Sequence, residues 1–98
     1  MTTMLETRSL QAYAAVGERP EWGVVSGSLV DEGLQPTAAR RARLTLAGGR
    51  TVEAAVSVQL LSDDVTRELA VNLPADQDVL RAEITVDGET FTVDVAGL

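Results

Sequence analysis

The stretch from Leu80 to Val95, LRAEITVDGETFTVDV, constrains this chain more than any other. It alternates apolar and polar residues around a central Asp87-Gly88. An Asp-Gly pair flanked by such alternation is the strongest short-range signal for a β-hairpin closed by a type I′ turn. Side-chain pairing then selects a register. With Asp87-Gly88 as a two-residue loop, Val86 stands opposite Glu89, Ile84 opposite Phe91, Ala82 opposite Val93 and Leu80 opposite Val95. The other face pairs Thr85 with Thr90, Glu83 with Thr92 and Arg81 with Asp94. Moving the loop to Gly88-Glu89 sets Glu83 against Asp94, a like-charge pair. Cross-strand pairs contribute roughly 0.2–1 kcal/mol each, so Arg81–Asp94 and Thr85–Thr90 favour the first register. The hairpin therefore has a core face of Leu80, Ala82, Ile84, Phe91, Val93 and Val95, and a wet face opposite.

The rest of the chain reads as further short strands separated by turn signals. Residues 1–9 are polar and read as a flexible N-terminus, ahead of one domain over residues 10–98. Leu10 to Val16 alternates as a strand would, although Leu5 to Ala15 also suits a short helix. Gly17 to Pro20 is a turn, and Trp22 opens a strand running to Val30, with Gly27 marking a bulge or close backbone approach. Arg41–Leu46 and Thr51–Leu61 form a second hairpin. A two-residue Gly48-Gly49 loop would mismatch its faces, so a three-residue loop or bulge over Gly48 to Arg50 is expected, pairing Leu46 with Val52 and Leu44 with Ala54. In that register Thr45 faces Glu53, and Arg41 and Arg43 lie outward, opposite Ser57 and Ala55. Residues 62–73 carry both periods. Val65, Leu69, Val71 and Leu73 face inward on a strand, together with Arg67, whereas a helix would align Val65, Leu69 and Leu73 behind a Ser62 or Asp63 cap. The β-formers Val65, Thr66 and Val71 and the ending AVNLP favour the strand.

Six or seven short strands with turns between them predict an all-β fold, an immunoglobulin-like antiparallel β-sandwich of about seven strands. The alternative, with a helix at 62–73, is an α+β chain of ββαββ order resembling a β-grasp. The run VVSGSLVDEGLQPTAARRARLTLAGGR (Val24 to Arg50) resembles the opening of bacterial carboxypeptidase-regulatory-like and other immunoglobulin-like modules, with their glycine-containing strand, acidic turn, Pro and basic-hydrophobic strand. The closing DGETFTVDV is similar to the last hairpin of such domains. Ser57 to Asp64 departs from their usual turn, and an immunoglobulin-type tyrosine corner is missing. The resemblance implies the fold and a non-catalytic accessory role, and it transfers no site residue.

Composition excludes several chemistries. The 98 residues contain no histidine, cysteine or lysine, so the usual general bases, thiolates, Schiff-base lysines and zinc ligands are lacking. Aromatic residues make up 3%, too few to line a sugar cleft between paired carboxylates, so the chain does not read as an enzyme and implies no cofactor. A net charge of −7 opposes binding to nucleic acid and to anionic membranes. No run is apolar and long enough to span a bilayer, and MTTMLETRSL lacks the pattern of a signal peptide, so the expected location is the cytoplasm.

What remains is surface recognition. Asp31-Glu32, Asp63-Asp64 and Asp76/Asp78 lie in turns, where Asp caps the backbone by itself; converging loops would instead offer oxygens to Ca²⁺. Arg41 and Arg43 belong to the one basic cluster, on a solvated face or a docking patch. Trp22 is a core plug or, with Tyr13, an exposed spot for carbohydrate or protein. The reading adopted is a protein-interaction module, an accessory or self-associating subunit. Its candidate partner-binding residues are Arg41, Arg43, Arg81, Thr92, Asp94 and Trp22, with Thr90 to Val95 as an edge for strand pairing. A ligand-binding module for Ca²⁺ or carbohydrate is the rival.

Overall fold

The computed structural model describes residues 7–15, 17–27 and 33–98. Seven strands run in chain order: β1 (Arg8–Ala15), β2 (Gly23–Ser26), β3 (Arg40–Leu46), β4 (Thr51–Leu60), β5 (Thr66–Leu73), β6 (Val79–Val86) and β7 (Glu89–Asp94). A single 3₁₀ turn, Val95–Gly97, follows β7, and the described residues contain no α-helix. All pairings are antiparallel, and the strand order is β2-β1-β5-β4-β3-β6-β7. The β-grasp alternative fails because residues 66–73 pair as a strand on both sides, with β1 and with β4.

The strands form one curled sheet, a half-barrel, where a sandwich would have two separate sheets. The long strand β4 makes the bend. Its first half, Thr51 to Ala55, pairs with β3, and its second half, Val56 to Leu60, pairs with β5. The two flanks thus fold toward each other over one aliphatic core. Leu10, Ala12, Leu69, Val71 and Leu73 come from one flank, and Ala42, Leu44, Leu46, Ala82, Ile84 and Val93 from the other. Curling also explains the connectivity. β5 and β6 lie three places apart in the sheet, about 14 Å if flat at ~4.8 Å per strand. Residues 74–78 instead cross the end of the core, where the Ala47 N–H donates to the Asp78 carbonyl at 2.8 Å.

The β6–β7 hairpin forms in the expected register, from Val86 opposite Glu89 to Arg81 opposite Asp94. Asp87 and Gly88 both have positive φ, 49° and 91°, as a type I′ turn requires. Its expected core face is corrected at two positions. Opposite β3, Thr45 aligns with Arg81 but Leu46 with Val79, so Leu80 is the extra residue of a β-bulge. Val79 takes the core position and Leu80 is exposed. Phe91 is only half-buried, because β7 is an edge strand with no further strand paired to it among the described residues.

The second hairpin closes through the expected three-residue loop, placed one residue earlier than predicted. Leu46 N–H donates to the Arg50 carbonyl at 2.7 Å, which makes the loop Ala47, Gly48 and Gly49. Leu44 therefore pairs with Val52, Ala42 with Ala54, Arg43 with Glu53 and Arg41 with Ala55. This two-residue slip keeps every side chain on its predicted face, since a strand repeats every two residues. It also sets Gly48 and Gly49, at φ 94° and 92°, where the turn needs left-handed backbone.

Elsewhere the strand bounds move. β1 begins at Arg8, inside the segment expected to be flexible, and β2 stops before Gly27, whose φ of 96° ends the strand. The expected continuation to Val30 falls outside the described residues. Ser62 to Val65 form a turn, leaving Val65 exposed instead of inward. The outer face of the first flank is unexpectedly buried at one end. Ser9 and Gln11 are buried there beside Ala70, with Gln11 Nε2 donating to Ser9 Oγ at 2.9 Å.

Candidate interaction surface

Five of the six residues singled out from the sequence gather on one surface, the outer face of the second flank. Cross-strand registers place Arg43 between Glu53 and Glu83, and Thr92 beyond Glu83. The adjacent rows place Arg41 beside Thr85 and Thr90, and Arg81 beside Asp94. Three arginines thus interleave with Glu53, Glu83 and Asp94. Arg41 lies 4.0 Å from Glu53, with both side chains about half exposed. Exposed pairs of this kind contribute roughly 0–1 kcal/mol. The face balances its own charge, so it offers a partner little net electrostatic attraction.

Trp22 is not on that surface. The β1–β2 ladder ends at Gln11 opposite Gly23, which puts Trp22 level with the inward Ala12, and its ring packs against the core. Tyr13, one position further along β1, projects outward and is exposed. The two aromatics therefore occupy opposite faces and build no common sugar platform. The acidic turns do not converge either. Asp63-Asp64 follows β4 at one end of the barrel, whereas Asp76 and Asp78 precede β6 at the other, and Asp31-Glu32 lies outside the described residues. Asp63 caps its own turn, accepting from Val65 N–H at 3.0 Å, Thr66 N–H at 2.9 Å and Thr66 Oγ1 at 2.6 Å. These bonds, led by the Thr66 hydroxyl, hold its carboxyl below the usual carboxylate range. Among the described residues no three acidic groups are placed to hold a metal ion.

The edge expected at Thr90 to Val95 borders the open seam of the half-barrel, whose facing wall the sequence did not single out. Among the described residues β7 pairs only with β6, and along its length the connection from Gly17 to Trp22 forms a facing wall. A cleft of about 260 Å³ opens at the top, between Glu18, Pro20 and Leu69 on one side and Asp87, Glu89 and Phe91 on the other. A second, of about 370 Å³, continues downward between Trp22 and Thr92 to Asp94. Phe91 lines both. Trp22 Nε1 and Arg67 Nε, each in a residue lining this seam, are buried without a hydrogen-bond partner.

Backbone chemistry gives the seam its character. A two-residue hairpin closes on a hydrogen-bonded pair, here Val86 and Glu89, and such pairs alternate along the ladder. Glu89, Phe91 and Val93 therefore spend their N–H and C=O groups on β6, while Thr90, Thr92 and Asp94 aim theirs at the free edge. The 3.1 Å contact between Thr85 and Thr90 hydroxyls fits this phase, since side chains approach most closely at non-hydrogen-bonded pairs. Arg67, the charge expected to point inward, reaches across the mouth of the barrel to Asp87 at 3.8 Å, and Arg40 approaches the same carboxylate at 3.7 Å. Its inward position was legible in the sequence; its partner was not, because Asp87 comes from the opposite flank. Among the described residues no helix is long and apolar enough to cross a membrane. Comparison of the chain with family models, with curated proteins and with solved structures finds no match.

Proposed function

We propose that this chain is a non-catalytic protein-interaction module that docks a partner through the free edge of β7. The observation that carries this reading is the row of outward backbone groups on Thr90, Thr92 and Asp94, backed by a partly apolar cleft at Phe91. Unpaired strand edges are templates for another strand, and natural proteins commonly blunt them with charge, proline or a covering segment. Between Glu89 and Asp94 the middle of β7 reads Thr-Phe-Thr-Val, with no charge or proline, and a cleft separates it from the facing Gly17 to Arg19. The lack of histidine, cysteine and lysine supports a role without covalent chemistry. The resemblance of Val24 to Arg50 and of the closing hairpin to immunoglobulin-like accessory modules supports the same role.

Site-specific photo-crosslinking tests it. A photoreactive side chain at Thr92 should capture a partner in the native host, while the same group at Thr45, on a central strand, should not. Equal capture at both positions, or none at Thr92, sinks the proposal.

A further inference from the structure

Resting on that reading, we infer that the β7 edge takes an extended segment of another protein that carries two alternate apolar residues followed by a cation. A strand added antiparallel to β7 would pair its backbone with Thr90, Thr92 and Asp94. Its residues opposite Val93 and Phe91 would then point to the inner side, toward the cleft walls at Trp22 and Pro20. Two positions further on, the same face meets Glu89, and Glu18 lies across the upper cleft. The inward positions of the guest thus read apolar, apolar, basic at i, i+2 and i+4.

Charge selects the occupant. In the upper cleft Asp87 already serves Arg67 and Arg40, whereas Glu18 and Glu89 make no ion pair among the described residues. Lower down, Asp94 stands opposite Arg81, and Arg19 lines the cleft both there and beside Glu18 and Glu89. Against the single Arg19 of that wall, Glu18 and Glu89 together leave a net negative charge, where a guest Lys or Arg would sit. A second copy is the poorer occupant: each chain carries −7, and antiparallel pairing of two β7 edges would bring no cation to Glu18 or Glu89.

The test uses the full chain and blocked heptapeptides. TVTVTKT places its lysine opposite Glu89 and its valines opposite Phe91 and Val93; TVTVTET reverses the charge. Binding is followed by calorimetry and by the fluorescence of Trp22, the sole tryptophan. TVTVTKT should bind, TVTVTET should bind at least about tenfold more weakly, and Glu89→Lys should narrow or invert that ratio. Thr92→Pro, which removes one outward N–H at an edge position where proline is accommodated, should abolish binding of either peptide. Equal affinity for the two peptides overturns the cation assignment and leaves edge docking standing. Binding that survives Thr92→Pro overturns edge docking itself. Silence of both peptides up to about 1 mM overturns the inference, as does a dimer in sedimentation that Thr92→Pro dissolves.

Discussion

The Asp87 carboxylate lies 3.8 Å from the Arg67 guanidinium, a contact that joins the turn of the last hairpin to a strand on the opposite flank of the half-barrel. Asp87 holds a left-handed backbone as well, with φ 49°. One residue therefore shapes the turn and ties the mouth of the core.

The two roles separate by mutation. Asn tolerates left-handed backbone much as Asp does, so Asp87→Asn removes only the charge facing Arg67 and Arg40. Both pairs are partly exposed, so the expected loss is about 1 kcal/mol or less, and it should shrink in 1 M salt as screening tightens. Asp87→Ala should lose about 1 kcal/mol more, because Ala lacks the short polar side chain whose local hydrogen bonding lets Asp and Asn tolerate left-handed backbone. Urea melts of the three proteins at low and high salt check this; an Asn variant as stable as the parent at low salt would deny the tie.

The β6 bulge makes a sharper prediction about the core. Leu80 is exposed although its neighbours in sequence alternate as if it were buried, and Ile84 is completely buried. Leu80→Ala should change stability by about 0.5 kcal/mol or less. Ile84→Ala should cost about 2–5 kcal/mol, through lost burial and the cavity left behind. Similar losses for both, measured by chemical denaturation, would mean that Leu80 and not Val79 is the core residue.

These two residues also show what could be read from the sequence and what could not. The hairpin register was legible because it rests on local pairs: Arg81 with Asp94, Thr85 with Thr90, and a turn dipeptide that accepts positive φ. The bulge was not, because it is imposed by β3, which aligns Leu46 with Val79 from a distant part of the chain. The same limit hid the curl of the sheet. A period of two places Val52, Ala54 and Val56 on one face whether β4 belongs to a sandwich or bends between two flanks. Alternation in the hairpin puts Phe91 on the core face, but burial there depends on which strand ends at the edge. The five charged or polar residues Arg41, Arg43, Arg81, Thr92 and Asp94 did gather on one face, since facing follows from parity alone. The edge at Thr90 to Val95 was also named from the sequence, whereas the wall that faces it needed the topology.

The β4–β5 turn gives a prediction on acid stability. Asp63 accepts three hydrogen bonds in its ionised form, and its carboxyl pKa is lowered in the folded chain. A group depressed on folding stabilises above its unfolded pKa, and that contribution fades as pH falls through the folded value. Asp63→Ala should therefore lower the thermal midpoint at pH 7, and the gap to the parent should close in strong acid. A gap that stays constant from pH 7 to pH 2 would assign the effect to the backbone of the turn and not to the carboxylate.

Tyr13 tests the opposite sign at high pH. It stands directly across from Glu68, and the carboxylate's charge, reinforced by slight desolvation and a hydrogen bond to the phenol, raises its pKa above the ordinary 10.0. The folded state thus holds the phenolic proton more tightly than the unfolded state does. The associated stability is fully present below the unfolded value and is lost as pH rises through the folded one. Tyr13 is the sole tyrosine, so the ultraviolet phenolate band reports it without overlap from another phenol. The titration midpoint should lie above 10.0 in the parent and move back toward it in Glu68→Gln, with the folded sheet verified by circular dichroism at each pH. An unmoved midpoint in Glu68→Gln would show that the carboxylate across the ladder is not what holds the proton.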